Sequence, residues 1–329
     1  MRSIGFFFLT IVFFANYAHG QHAVRPVQTH NQGPLVHFFA IPTNSGGAVL
    51  EKNAFLFGNY FNIANNATSA QIEEETIYLD GEMYRNELVF SYGLFTNFEL
   101  GVSIPVVKHS GGVMDAFISN WHEVFNLPGK SRVLMPTDEL AYFFMEEEEV
   151  VFEMNKSKLS IGDITFSMGL PIVTNQKHDL SLRSFLKVPS GNKNNLVGSG
   201  TWDFGAQLAG TINSIPQRNE FSFYYSGGYL RISKGALLQD KLCENVGFGS
   251  FGLVFNTNNH LYFKSQIDFH SSFYGKTNLK QLGKSSAQLV IGTEYFIKKE
   301  IALSLAFAED IIVNTAPDFV LQFGITFHY

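Results

Sequence analysis

The chain has 329 residues, 23 Lys and Arg against 29 Asp and Glu for a formal net charge of −6, and one cysteine. Only 16 % of residues are charged and 15 % are aromatic, with a mean hydropathy of +0.03, so apolar residues are diluted by Gly, Ser, Thr and Asn; a typical soluble domain is about 25 % charged. This composition excludes a disordered chain and a basic nucleic-acid footprint, and Cys243 alone excludes an intramolecular disulfide, a cysteine zinc site and a CxxC redox pair.

The first 20 residues read as a secretory signal. Arg2 supplies the positive start, Ile4 to Ala15 is apolar, and Ala18-His19-Gly20 places small residues for cleavage before Gln21. No later stretch approaches the roughly 18 consecutive apolar residues of a membrane-spanning helix, and no cysteine follows the cleavage site to carry a lipid anchor. Residues 21–51 are expected to form an N-terminal segment in the periplasm or inside a lumen.

From residue 52 a period of two runs nearly to the end. In chain order the strands are 54–66, Tyr84/Leu88/Phe90/Tyr92/Leu94, Phe98/Leu100/Val102/Ile104, Ile164/Phe166/Met168/Leu170, Leu180/Leu182/Leu186/Val188, Trp202/Phe204/Ala206/Leu208, 220–232, 245–256, Leu261/Phe263/Ile267/Phe269, Ala287/Leu289/Ile291/Tyr295, Ile301/Leu303/Leu305/Phe307 and Phe319 to Tyr329. Links at 95–97, 172–178, 213–219, 256–260 and 297–300 are short and polar. The alternate links, 67–83, 108–160, 189–199, 233–244, 272–284 and 311–317, are longer. That sorting, strands of about ten residues and aromatics near strand ends predict an all-β fold: an antiparallel transmembrane barrel of about twelve strands over residues 52–329, in a bacterial outer membrane. A soluble sandwich is the competing reading. The terminal Phe327-His328-Tyr329 resembles the signal read by barrel-assembly machinery, which with outer-membrane lipid is an expected partner.

The alternation places Arg85, Glu87, Glu99, Asp163, Arg183, Lys187, Asp203, Lys264, Asp268 and Glu294 on the polar face, where they would line a pore or close it as a paired network. In the longest link, Val113, Met114, Phe117, Ile118, Trp121, Val124 and Phe125 fall at helical spacing and end at Pro128-Gly129. This amphipathic helix is expected to constrict the lumen, lie at the membrane interface or cap the rim, with Phe117, Ile118, Trp121 and Phe125 as its apolar stripe.

Other motifs carry less. Gly247-Phe248-Gly249-Ser250-Phe251-Gly252 matches a dinucleotide fingerprint by letter but runs into a strand, not a helix. Glu146 to Glu149 reads as a hairpin tip, so no metal and no cofactor are expected. His109-Ser110 is the one candidate for nucleophilic catalysis, yet neighbours on a strand point to opposite faces.

The strings Asn31-Gln32-Gly33-Pro34-Leu35, Ala64-Asn65-Asn66-Ala67-Thr68, Leu79-Asp80-Gly81-Glu82, His109-Ser110-Gly111-Gly112, Gly162-Asp163 and Lys187-Val188-Pro189-Ser190-Gly191 resemble the bacterial family catalogued as domain of unknown function 3187. The resemblance implies a barrel over most of the chain and assigns no reaction. Taken together, the sequence predicts a narrow or gated pore for small polar solutes, with a closed structural or adhesion barrel and an outer-membrane lipid hydrolase as alternatives.

Overall fold

The computed structural model describes residues 25–43, 45–117, 120, 123, 136–213, 221–257, 260–312 and 315–329; the predicted signal sequence lies outside them. The strands in chain order are β1 (Phe55–Ile72), β2 (Glu75–Phe95), β3 (Phe98–Ser110), β4 (Ala141–Glu146), β5 (Glu149–Met154), β6 (Ser160–Ile161), β7 (Ile164–Thr174), β8 (His178–Val188), β9 (Asp203–Ile212), β10 (Phe221–Ile232), β11 (Asn245–Asn256), β12 (Leu261–His270), β13 (Ser286–Lys298), β14 (Ile301–Asp310) and β15 (Phe319–His328). Among the described residues, all but β4, β5 and β6 form a closed antiparallel ring of twelve strands, each paired with its neighbour in order, with β3 pairing β7. The ring closes where β1 meets β15 over ten residue pairs from Leu56↔His328 to Asn65↔Phe319. No edge remains in the ring, which is the condition for a sheet to sit in lipid.

Burial separates a barrel from a sandwich. A soluble sheet hides its apolar face and wets its charged one; here the order is reversed. Phe166, Phe204, Phe251, Ile291 and Leu305 are exposed, whereas Lys187 and Asp203 are 1 % and 0 % exposed. The apolar set faces outward, where lipid would be, and the polar set faces the lumen.

The chain enters β1 and leaves β15 at the same end, together with the short β2–β3, β7–β8, β11–β12 and β13–β14 turns. In the β7–β8 turn the Asn175 side chain accepts from the amides of Lys177 and His178, an Asx turn that fixes a tight reversal. This turn end is opposed by a loop end carrying the longer connections.

One predicted link differs. Residues 67–83 are not a loop: β1 and β2 continue past the ring as a long hairpin whose turn is Glu73–Glu74. Within it Gly81 holds a strand position at φ 149°, a conformation that glycine adopts without a Cβ penalty. β4 and β5 add to this overhang from the β2 side, and their tip is Glu147–Glu148, within the predicted acidic hairpin tip. Ile77, Leu79, Tyr142 and Phe144 of the overhang pack with Leu196, Leu238, Phe273 and Leu282 of the loops into an apolar cap over the lumen.

The same cap takes in Leu35, Phe38, Phe39 and Ala40 of the N-terminal segment. The Phe39 ring stacks on Phe273 at 4.6 Å between centroids and 6° between planes. Phe39→Ala is expected to weaken the seating of that segment by about 3–5 kcal/mol. Limited proteolysis should cut residues 25–50 faster in the variant, while the barrel keeps its heat-modifiable mobility on gels.

Candidate functional site

The described residues of 25–50 lie inside the barrel as an inverted U. Val27 exchanges two bonds with one side chain, its amide donating to Gln266 Oε1 at 3.0 Å and its carbonyl accepting from Gln266 Nε2 at 3.3 Å. Near the loop end, Asn31 Nδ2 lies 2.9 Å from His270 Nε2 and donates to Thr315 O at 2.9 Å. A turn closed by the His37 amide on Gly33 O then reverses the chain. The descending arm returns past Ala40, whose amide donates to Asp203 Oδ2 at 3.0 Å. Near the turn end the Gly47 amide donates to Thr211 Oγ1 at 2.9 Å, and that of Leu50 to Glu99 Oε2 at 2.9 Å.

These contacts follow from an irregular backbone in a closed space. The described residues of 25–50 have no ladder partner, and a buried N–H or C=O left unpaired is costly. The wall supplies the partners through its charged side chains.

All ten charges predicted for the polar face sit on the lumen side, and nine of them form ion pairs. Arg85 Nε lies 3.1 Å from Glu87, Arg183 Nη1 2.8 Å from Glu99, and Lys264 Nζ 2.8 Å from Glu294. Lys187 Nζ is 2.9 Å from Asp163 and 2.8 Å from Asp203. Asp268 accepts from Gln266 Nε2 at 2.8 Å. Arg183 reaches Glu99 across β7 at Gly169, where an added Cβ would come within 3.1 Å of the guanidinium.

Gln266 and Thr211 also hold the segment, while Ser199 braces Asp163 beside Lys187, and the period-two pattern places Gln266 and Thr211 on this face. What the sequence does not announce is that the partner is the chain's own N-terminal backbone. Between segment and wall remains a cavity of about 130 Å³ lined in part by Arg25, His30, Arg85, Glu87, Arg183 and Lys187.

Two histidines of the segment are buried here. His37 Nε2 donates to Leu196 O at 2.8 Å, and Arg85 Nη1 donates to His37 Nδ1 at 3.3 Å, so the ring is the neutral Nε2–H tautomer. His109 of β3 shares the same carbonyl at 3.1 Å. Among the described residues neither ring nitrogen of His30 has a hydrogen-bond partner of good geometry, although the His37 backbone lies near enough to favour its charged form. Burial, then the Arg85 charge, pushes His30 down to about 4 and His37 well below its ordinary range; Glu87 opposes the shift at His30, and His109 adds to it at His37.

The remaining candidates lie elsewhere. His109 faces the lumen, and Ser110 lies on the opposite face, its Oγ accepting from the Gly112 amide at 3.4 Å, so the two are not a nucleophile and base. Residues 115–117, 120 and 123 are helical. Their start is fixed to the outer face of the wall: Glu82 Oε1 accepts from the amides of Val113 at 3.1 Å and Met114 at 2.6 Å, and Asn65 Nδ2 donates to Asp115 at 3.0 Å. Half-exposed Phe117 meets Phe319 edge-on at 5.8 Å. Asn65, Glu82 and Phe319 alternate with the inward Ala64, Met83 and Val320, so this part of the helix packs outside the lumen. Ile118, Trp121 and Phe125 lie outside the described residues.

Two outcomes are expected. Lys187→Met leaves Asp163 and Asp203 buried without their cation and should cost about 3–5 kcal/mol, read as a lower unfolding temperature of the folded gel band, with Asp203→Asn in the same chain recovering part of it. Acid should release the segment. Once withdrawn, His30 and His37 take up protons below about 6.5, whereas seated His30 stays neutral down to about 4, so seating loses free energy as pH falls from 6.5 toward 4. Proteolysis of residues 25–50 should quicken between pH 7.5 and 5, and His30→Gln with His37→Gln should flatten that dependence.

The fold is shared with a solved channel. The COG4313 outer membrane channel from Pseudomonas putida F1 superposes with a TM-score of 0.56 at 13 % identity, covering 85 % of this chain and 97 % of that one. The NanC porin covers 83 % and 98 % at 10 % identity and a TM-score of 0.46. No curated protein sequence matches the chain. A family model spans residues 6–329, and by that match the chain belongs to the family described as "Protein of unknown function (DUF3187)".

Proposed function

We propose that the protein is an outer-membrane pore for small polar solutes, gated by its own N-terminal segment. The observation that supports this most is the way the segment is held. Between Arg25 and Leu50 it carries one formal charge, on Arg25, and wall side chains grip its backbone. Its departure would open a polar, charge-paired lumen. A ring of twelve strands lies between eight, which side chains fill, and sixteen, which leave an open channel, so a single removable segment suffices to close it. Export by a signal sequence and assembly through the strand ending in Phe327 and Tyr329 belong to the same reading.

The apolar cap favours a second reading, in which the barrel stays shut and acts through its loop end. Conductance in a planar bilayer separates the two. The intact protein should pass little current, while a variant lacking residues 25–50, and the full-length Phe38→Ala, Phe39→Ala variant, should give discrete steps at least several-fold larger. Removing residues 113–127 should leave the steps unchanged, because the described start of that helix sits on the outer wall. Silence from all of these, with insertion verified, would favour the permanently closed barrel.

A further inference from the structure

Two ion pairs of the lumen wall hold the descending arm by the same device. At the loop end, Lys187 Nζ donates to Phe38 O at 3.0 Å and Asp203 Oδ2 accepts from the Ala40 amide at 3.0 Å. Near the turn end, Arg183 Nη2 donates to Ala48 O at 2.7 Å and Glu99 Oε2 accepts from the Leu50 amide at 2.9 Å. In both, the cation takes the carbonyl of residue i and the anion takes the amide of residue i+2, and cation and anion are themselves paired at 2.8 Å. A carbonyl at i and an amide at i+2 point to the same side of an extended chain, and in a parallel sheet one residue of the neighbouring strand satisfies both. The Arg183–Glu99 pair therefore replaces one residue of a strand edge for Ala48 and Leu50, whereas the Lys187–Asp203 pair holds the same two groups on a bent backbone, where the Ile41 amide closes on Phe39 O at 2.9 Å. On the opposite arm Gln266 takes both backbone groups of Val27.

None of these bonds reads a side chain. Between the two grips the arm includes Thr43, Ser45, Gly46 and Gly47, small residues that leave the fit to the backbone. The Arg183–Glu99 pair is neutral as a unit, and Lys187 stands between the carboxylates of Asp163 and Asp203, so neither grip offers a net attraction to an anionic solute. They do offer a donor and an acceptor side by side, matched to the carbonyl of one residue and the amide two residues on.

We infer that the lumen, once its segment withdraws, binds peptides through their backbone with little dependence on sequence, and that the solutes of the pore include short neutral peptides. This rests on the pore reading for the passage of solute, though not for binding.

Binding is tested by fluorescence anisotropy in detergent. The protein is the variant lacking residues 25–50 or, should that not assemble, the full-length Phe38→Ala, Phe39→Ala variant. The probes are a labelled peptide of residues 38–50, a scrambled version of it, a copy N-methylated at the nitrogens of Ala40 and Leu50, and a neutral maltooligosaccharide as competitor. Native and scrambled peptides should bind within about threefold of each other, and the N-methylated copy at least about tenfold more weakly, since it loses two hydrogen bonds to carboxylates. The sugar should compete poorly, and the intact protein should bind none of the peptides. The inference fails if N-methylation has no effect, if only the native order binds, or if the sugar competes as well as the peptide. The same variant in a bilayer keeps the two readings apart. Peptide binding without current overturns the pore and leaves backbone recognition standing; current without peptide binding does the reverse.

Discussion

Everything in this molecule depends on satisfying an irregular backbone inside a closed barrel. Strands in lipid find every partner in the next strand, but the described residues of 25–50 have no neighbour of that kind. Charged side chains are suited to the task because they reach from the wall and make stronger hydrogen bonds than neutral groups. A buried charge is tolerated only when it is paired, so the wall carries cations and anions together: Lys187 with Asp163 and Asp203, Arg183 with Glu99. Charges that would suggest an open pore in isolation serve here as a socket.

The segment and the overhang depend on one another. Ile77, Leu79 and Tyr142 stand above the ring, where neither lipid nor a partner sheet covers them, and Phe38 and Phe39 supply the apolar surface they pack against. Conversely, the apex of the segment would meet water without the overhang and the loops folded over it. The cap thus holds the apex by apolar burial, while the arms below are held by polar bonds. Two kinds of force acting at two heights make it possible to loosen one without dissolving the other.

The strands and their two faces were legible because period-two alternation is a local property. All ten lumen charges follow from it, as does the placement of His109 and Ser110 on opposite faces. The β1–β2 overhang was not legible, because Asp80-Gly81 carries the chemistry of a turn and only the pairing of Asn66 with Gly81 and of Ala67 with Asp80 makes it a strand. The threaded segment left still less trace. Its partners are Asp203, Lys187 and Gln266, more than a hundred residues away, and they bind backbone atoms that every sequence possesses. What marks such a segment is its lack of periodicity, which is equally the mark of a linker.

The choice of backbone grips over ion pairs between segment and wall bears on reversibility. Were the segment held by charges of its own, its departure would strand their partners in the lumen, and breaking a buried pair by removing one member costs several kcal/mol. Here each gripping ion pair is complete without the segment. On withdrawal Lys187 keeps Asp163 and Asp203, and Arg183 keeps Glu99; the freed donors and acceptors exchange a backbone partner for water, a trade that is close to balanced for each bond. The larger cost of leaving is the apolar surface of Phe38 and Phe39. On the proposed gating, opening is governed by the cap and by the neutral histidines beside Arg85, and the wall is left ready to take the segment back.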